Sequence, residues 1–320
     1  MLNLEEILTE RVKQLLKETD SILPNKKIFI NEMTDVNQLN ESDGALVAGD
    51  SVGNATIFLD PKRVDEYRLA HEILHIKYYR LGWVKLYLMI PENFSIQIQP
   101  LLDNLISHYL IYPDLQEMGI DNLDHVENFI TDISEWETKW KRTEIDGLSV
   151  LENGLAICEG LLFGEPYRDK IINITSKNYP NSLNLAYKLE QIVISGELDK
   201  KDVRKAAVNL LSYVDDYVHN IHPEIPNLCQ TIGITPLFTK AELKRKASKY
   251  VHFNSARMNI NNKIHYLAFF FMKSDKTRFI TYIGDDKTEP SYIPDIRKLW
   301  QTKNLEELLS SIDVIYGITK

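Results

Sequence analysis

The stretch "LAHEILHIKYY", residues 69–79, places two histidines four positions apart with a glutamate directly after the first. In an α-helix, positions i and i+4 lie one turn apart on the same face, so His71 and His75 can point their ring nitrogens at one metal ion. Glu72 lies about 100° around the helix from His71, where it can reach a water molecule without binding the metal. The spacing therefore predicts a zinc site with His71 and His75 as ligands.

The predicted site suits the hydrolysis of a peptide bond. Zinc lowers the pKa of a water molecule toward neutrality and polarises the substrate carbonyl. Glu72 would act as the general base, accepting the proton and later passing it to the leaving nitrogen. The simpler alternative is that both histidines are exposed, or that core hydrogen bonds satisfy them, with no metal present.

Local patterns place this motif on a helix that follows a strand. The β-branched run "ATIFLD", residues 55–60, predicts a strand, and the helical pattern then extends over 64–81. A second helix is predicted from residue 98 or 101 to 112, bounded by Pro100 and Pro113, because proline suits a first helical turn and ends a helix at the other side. The two helices carry the polar side chains of interest.

Two segments resemble the zincin metallopeptidases, in particular the small zincin domain of the bacterial ImmA/IrrE-like proteases. One is "LAHEILH", residues 69–75; the other is "DNLISHYLIYP", residues 103–113, in which Asn104 precedes Pro113 by nine residues. The resemblance covers roughly residues 25–120. It implies a metallopeptidase in which His71 and His75 bind zinc and Glu72 is the general base.

One position departs from that family. Its third zinc ligand is a glutamate four residues before the asparagine, where this chain has Pro100. A catalytic zinc usually has three protein ligands and a water. We expect His108, one turn after Asn104 on the same helix face, to be the third ligand, with Asp103 as the alternative. Asn104 would then orient a ligand. If neither side chain binds zinc, the candidates in the following helical region are His125, Glu135 and Glu137.

Composition and charge narrow the class of protein. The chain has 320 residues, 44% of them hydrophobic, which is enough for two or three domains. Its formal net charge of −9 argues against a nucleic-acid partner. The two cysteines are far apart and suit free thiols, and no signal peptide or membrane-spanning run is present in the sequence. We expect a soluble cytoplasmic protein that does not act at a membrane.

The rest of the sequence predicts mostly helix. Residues 4–18 form an amphipathic pattern with Asn3 at the cap, and a strand is expected near 27–32. The aromatic runs at 263–272 and 277–284 predict a hairpin, followed by a short helix near 304–312. The remaining predicted helices cover residues 122–145, 149–163, 182–196, 200–219 and 239–250.

The predicted fold class is α+β and mostly helical. We expect a zincin-like metallopeptidase domain over 1–145, a helical domain over 146–250 and a small α+β segment over 251–320. The predicted function is that of a zinc-dependent endopeptidase acting on a specific cytoplasmic protein, with a protein or peptide as substrate. The alternative is an inactive zincin-like domain that binds a protein partner or regulates one, in stress response or phage defence.

Overall fold

The structure of the chain is a computed structural model. It describes residues 8–32, 45–49, 54–60, 62–120, 122–139, 141–165, 167–260, 263–284, 291 and 293–319. In chain order the elements are α1 (Glu10–Ile22), β1 (Ile28–Glu32), β2 (Ala45–Gly49), β3 (Ala55–Leu59), α2 (Glu66–Arg80), β4 (Leu86–Leu88), α3 (Asn93–Glu117), α4 (Leu123–Glu135), α5 (Gly147–Leu161), α6 (Tyr167–Asn178), α7 (Pro180–Val193), α8 (Lys200–Ile221), α9 (Leu228–Thr231), β5 (Ile232–Ile234), β6 (Leu237–Thr239), α10 (Lys240–Leu243), β7 (Val251–Ile260), β8 (Lys263–Met272), β9 (Arg278–Gly284), α11 (Ile293–Thr302), α12 (Leu305–Ser311) and β10 (Gly317–Thr319). The fold is α+β and mostly helical, as predicted.

The chain forms two compact units, each built from two stretches of sequence. The first unit contains residues 1–81 and 107–190, and the second contains 82–106 and 191–320. The boundary at residue 106 falls within α3, which contributes its earlier residues to the second unit and its later ones to the first. The three domains expected from the sequence, 1–145, 146–250 and 251–320, remain a prediction.

A three-stranded sheet precedes the histidine helix in the first unit. β3 lies in the middle, parallel to β1 and antiparallel to β2. The strands at 27–32 and 55–59 were predicted, but β2 was missed because its five residues lie in a segment rich in turn formers. The side chains of β3 alternate between buried and half-buried, which is the pattern of a strand with one face on a core.

Helix α2 follows this sheet, and its boundaries match the prediction to within two residues. Asp65 caps the first turn, since its Oδ1 accepts a hydrogen bond from the Arg68 backbone amide at 2.7 Å. Leu69, Ile73 and Leu74 have no exposed surface. Their burial anchors one side of the helix and fixes the direction in which the histidines of the other side point.

Helix α3 differs from the prediction because both prolines lie inside it. The helix runs from Asn93 to Glu117, so neither Pro100 nor Pro113 is a boundary. A proline inside a helix costs roughly 3 kcal/mol. The helix buries Leu102, Ile106 and Ile111 almost completely, and each such side chain contributes roughly 1.5–3 kcal/mol. Burial along 25 residues therefore outweighs the two interruptions.

Helices α4 and α5 complete the surroundings of the site in the first unit. The predicted helix 122–145 ends at Glu135, and Lys141 then adopts a positive φ of 50°, which a continuing helix does not allow. The helix predicted at 149–163 begins at Gly147, where Asp146 and Ser149 form a capping box. Helix α6, next in sequence, was not predicted.

The second unit contains the longest strands that the structure describes. The predicted hairpin of β8 and β9 is confirmed, and β7 extends it to a three-stranded antiparallel sheet. Phe270, Phe279 and Leu308 are fully buried in the core beside this sheet. The short strands form two further pairs, β4 with β5 and β6 with β10. Helices α8 and α12 match predicted helices, as does α7, most of which belongs to the first unit. Helix α11 and the strands β4, β5, β6, β7 and β10 were not predicted.

Two predicted helices differ from the structure at their ends. The helix predicted at 239–250 is limited to α10, although its capping box between Thr239 and Glu242 is present. Beyond it, the Ala247 amide donates to the Lys303 carbonyl and Arg245 accepts from Leu305, so these backbone groups are used outside a helix. The first helix has Thr9 as its cap rather than Asn3, which lies outside the described residues.

Among the residues that the structure describes, no helix combines the length and the apolar character needed to cross a membrane.

Candidate metal centre

Three histidines from two helices converge in the first unit. His71 and His75 lie one turn apart on α2, and His108 comes from the second half of α3. The ring centroids of His71 and His108 are 4.7 Å apart, and those of His75 and His108 are 5.3 Å apart. One nitrogen from each ring can be chosen so that all three lie within 4.8 Å of one another. These are the three histidines predicted from the sequence to be metal ligands.

The nitrogen spacing is close to what a zinc ion requires. Nε2 of His71 and Nε2 of His75 are 3.1 Å apart. Two ligand nitrogens at about 2.05 Å from a tetrahedral metal would be ~3.3 Å apart. His108 is 4% exposed, and within the described part of the chain its Nε2 has no hydrogen-bond partner. A buried nitrogen without a partner is costly, and a metal ion at this point would satisfy it. The donor set therefore fits zinc.

A carboxylate on a third helix contacts His108 at its Nδ1 atom. Oε1 of Glu159, on α5, lies 3.0 Å from Nδ1 of His108, and the Tyr112 hydroxyl lies 3.0 Å from the same nitrogen. Tyr112 also forms a hydrogen bond with the Glu159 carboxylate. The network is satisfied when both the His108 Nδ1–H and the tyrosine hydroxyl donate to the carboxylate. In that tautomer Nε2 of His108 carries no proton and is available to a metal.

The position of Glu159 depends on close packing beside it. Gly160 follows directly, and a Cβ atom at Gly160 would lie 2.5 Å from the Phe129 ring and 2.8 Å from Ile171. Only a glycine allows α5 to approach these two side chains so closely. The Glu159 side chain keeps only 18% of its surface exposed, so its charge depends on partners inside the protein.

The surroundings favour a neutral His71 and an ionised Glu159. Burial alone would raise the pKa of Glu159, but the adjacent His108 ring and the hydrogen bonds to it lower that pKa below its usual value. Burial, followed by the neighbouring rings of His108 and His75, lowers the pKa of His71 well below its usual value. His71 is therefore neutral at pH 7, which is the form that binds metal ions.

Two further aromatic side chains extend the cluster. The ring of Tyr67, one turn before His71 on α2, lies 5.8 Å from the His71 ring and 5.2 Å from the His125 ring. Burial lowers the pKa of His125 to about 4, with Glu159 opposing that shift. His125 is therefore neutral at pH 7. It is near the cluster but is not one of the three grouped donors.

The remaining residues predicted for the site are Glu72, Asn104, Asp103, Glu135 and Glu137. Glu72 is half-buried on α2, directly after His71. Asn104 is half-buried one turn before His108 on α3. Oδ1 of Asp103 accepts a hydrogen bond from the Leu86 backbone amide at 2.8 Å, and Asp103 is not among the grouped donors. Glu135, the last residue of α4, and Glu137, just beyond it, are also not among the grouped donors.

A polar cleft of about 450 Å³ opens beside the first turn of α2. Its lining includes Arg68, which follows Tyr67 in the chain, and Asn128, one turn after His125. Arg68 forms an ion pair with Asp65, and Lys139 forms one with Glu135 across 3.5 Å. Because basic and acidic groups are paired there, the cleft offers a polar surface without selecting one sign of charge.

Glu159 and Tyr112 are the parts of the site that sequence reasoning missed. Glu159 lies in the apolar run "LAICEGLLF", residues 155–163, where it is the only charged residue. A lone acid on an apolar helix face is a signal for a buried partner. Tyr112 follows His108 by one turn and so shares its helix face.

We found no match for the chain among protein-family models, curated proteins or solved structures. The resemblance to ImmA/IrrE-like zincins therefore remains a prediction that rests on residues 69–75 and 103–113.

Proposed function

We propose that the protein is a zinc-dependent peptidase of the zincin type that cleaves a specific protein in the cytoplasm. The observation that carries the proposal is the convergence of His71, His75 and His108, with His108 held by the Glu159 carboxylate. A histidine ligand whose other ring nitrogen donates to a carboxylate is the usual arrangement at protein zinc sites. The helix order and the glutamate after the first histidine agree with the same function.

The number of grouped donors favours a catalytic over a structural metal. Structural zinc sites have four protein ligands, whereas catalytic sites have three and leave one position for water. The described residues offer three grouped donors, and the Glu159 carboxylate is already bonded to His108 Nδ1. His108 would thus replace the glutamate ligand that Pro100 cannot supply.

The roles of the side chains follow from their chemistry. A zinc ion held by the three histidines would lower the pKa of a water molecule and polarise a peptide carbonyl. Glu72 would accept a proton from the attacking water and deliver it to the leaving nitrogen. Glu159 and Tyr112 would fix the orientation and tautomer of His108.

The proposal is tested with Glu72→Gln, which removes the base and keeps the size of the side chain. We expect this variant to retain zinc and to lose cleavage of a peptide library prepared from a digested proteome, measured as new peptide termini by mass spectrometry. Glu66→Gln, on the same helix, is the matched control and should cleave as the unchanged chain does. Undiminished cleavage by the Glu72 variant would refute the mechanism.

A second candidate function is supported by the absence of the glutamate that serves as third zinc ligand in the ImmA/IrrE-like family. Pro100 stands where the ImmA/IrrE-like enzymes have a ligand, so the centre would hold zinc in a domain that binds or regulates a protein partner without cleaving it. The same experiment separates the two functions. An unchanged chain that contains zinc and yields no new peptide termini would favour the binding function.

A further inference from the structure

The hydroxyl of Tyr67 is buried without a partner. Tyr67 is 5% exposed, and its oxygen has no hydrogen-bond partner among the residues that the structure describes. An unsatisfied buried hydroxyl is a cost that a folded protein normally avoids. Where such a group persists beside a candidate catalytic centre, a ligand that arrives later is a natural partner for it.

The place of Tyr67 in the fold connects it with the three histidines. Tyr67, His71 and His75 are spaced by four residues and so lie on one stripe of α2. The centroid of the Tyr67 ring is 5.8 Å from that of the His71 ring and 5.2 Å from that of the His125 ring. Tyr67 therefore lies beside the candidate metal centre.

The protonation state of Tyr67 suits a donor. A phenol with its ordinary pKa of about 10 is protonated at neutral pH. The phenol therefore keeps its proton at neutral pH. It can donate a hydrogen bond but cannot act as a base.

Resting on the proposed peptidase function, we infer that the Tyr67 hydroxyl is a catalytic donor that hydrogen-bonds the carbonyl oxygen of the scissile peptide. The bond becomes stronger as negative charge develops on that oxygen during attack by water. Tyr67 keeps its proton throughout, so no further acid or base is required. A preorganised donor of this kind typically accelerates acyl transfer 10²–10³-fold.

The alternative role for the Tyr67 hydroxyl is to bind another side chain of the protein instead of the substrate. Nδ1 of His71 also has no hydrogen-bond partner among the described residues, and it belongs to the ring one turn away. A tyrosine that turned toward this nitrogen would position a metal ligand rather than touch substrate. The two roles differ in their effect on metal affinity, and this difference allows a test without a known substrate.

The test uses the full chain loaded with Co²⁺ and titrated with acetohydroxamate, a small anion that places oxygens at the metal. Binding is followed through the visible absorption of the cobalt. We expect Tyr67→Phe to weaken acetohydroxamate binding roughly tenfold, the effect of losing one hydrogen bond to a charged group, and to keep cobalt affinity within about twofold. Tyr78→Phe on the same helix, whose hydroxyl donates to Asp114, should leave both affinities within about twofold.

Each other outcome has a defined meaning. Unchanged acetohydroxamate affinity in Tyr67→Phe would overturn the inference while leaving the metal centre intact. Loss of cobalt affinity would assign Tyr67 to positioning His71 and would also overturn it. Failure of Tyr67→Phe to fold, or a lowered melting temperature without metal, would show that the hydroxyl has a partner in the fold. An unchanged chain that binds no cobalt would refute the proposed metal centre itself.

Discussion

Replacing Glu159 by glutamine tests whether the carboxylate prepares His108 for metal binding. In the structure Oε1 of Glu159 is 3.0 Å from Nδ1 of His108, and the pKa of Glu159 is lowered by that contact against the opposing effect of burial. A glutamine amide can accept a hydrogen bond or donate one. When it donates to Nδ1, the His108 proton moves to Nε2 and blocks the metal position.

The size of the effect follows from the change in hydrogen bonding. A hydrogen bond to a charged group contributes about 1.5–3 kcal/mol, against about 0.5–1.5 for a neutral one. The difference of about 1–1.5 kcal/mol corresponds to roughly a tenfold loss in affinity. Loss of the favoured tautomer adds to this, so we expect the zinc dissociation constant of Glu159→Gln to rise by about 10–100-fold.

The assay is competition for zinc between the purified full chain and a chromophoric chelator. Glu152→Gln is the matched control, because Glu152 lies on the same helix with its side chain exposed. The control should bind zinc as the unchanged chain does. If Glu159→Gln bound zinc with unchanged affinity, Glu159 would have no role in preparing His108.

Four further variants test the site and the packing around it. His108→Ala should weaken zinc binding at least 10–100-fold in equilibrium dialysis. Asp103→Ala should leave zinc affinity within about twofold while lowering the free energy of unfolding in urea by about 1–3 kcal/mol, since a buried amide loses its acceptor; the reverse order would assign the third ligand to Asp103. The pKa of His125 falls from 6.5 to about 4 on folding, so its contribution to stability is present above pH 6.5 and is lost as pH falls toward 4. Between pH 8 and pH 5 the metal-free protein should lose about 2 kcal/mol through this group, and His125→Phe should abolish that part of the loss in urea titrations; an unaltered pH dependence would contradict the assignment. Gly160→Ala should lower stability by about 1–3 kcal/mol because its Cβ overlaps Phe129, and an unchanged melting temperature would show that the contact relaxes freely.

The parts of the site that could be predicted from the sequence follow from short-range patterns. The spacing of His71 and His75 fixes their relative directions once the segment is helical, and the cap at Asp65 together with buried leucines makes it so. His108 could be named because it shares a helix face with Asn104. Each of these inferences needs only the geometry of one helix.

The parts that were missed depend on contacts between distant segments. Glu159 reaches His108 across 51 positions of sequence, so no local pattern predicts that contact. Local patterns predicted Pro100 and Pro113 as helix boundaries. Both lie inside α3, because burial along this 25-residue helix outweighs the cost of the two prolines. Strand β2 forms because it pairs with β3. The intrinsic strand preferences of its own residues are too weak to predict it.

The most direct test of the proposed metal centre is the zinc content of the purified full chain. We expect about one zinc per chain by elemental analysis, and removal of most of it in His71→Ala and in His75→Ala, because each change leaves two histidine ligands. His219→Ala, at an exposed position on α8, should keep the metal. A chain that held no stoichiometric metal, either as purified or after dialysis against zinc, would contradict the account.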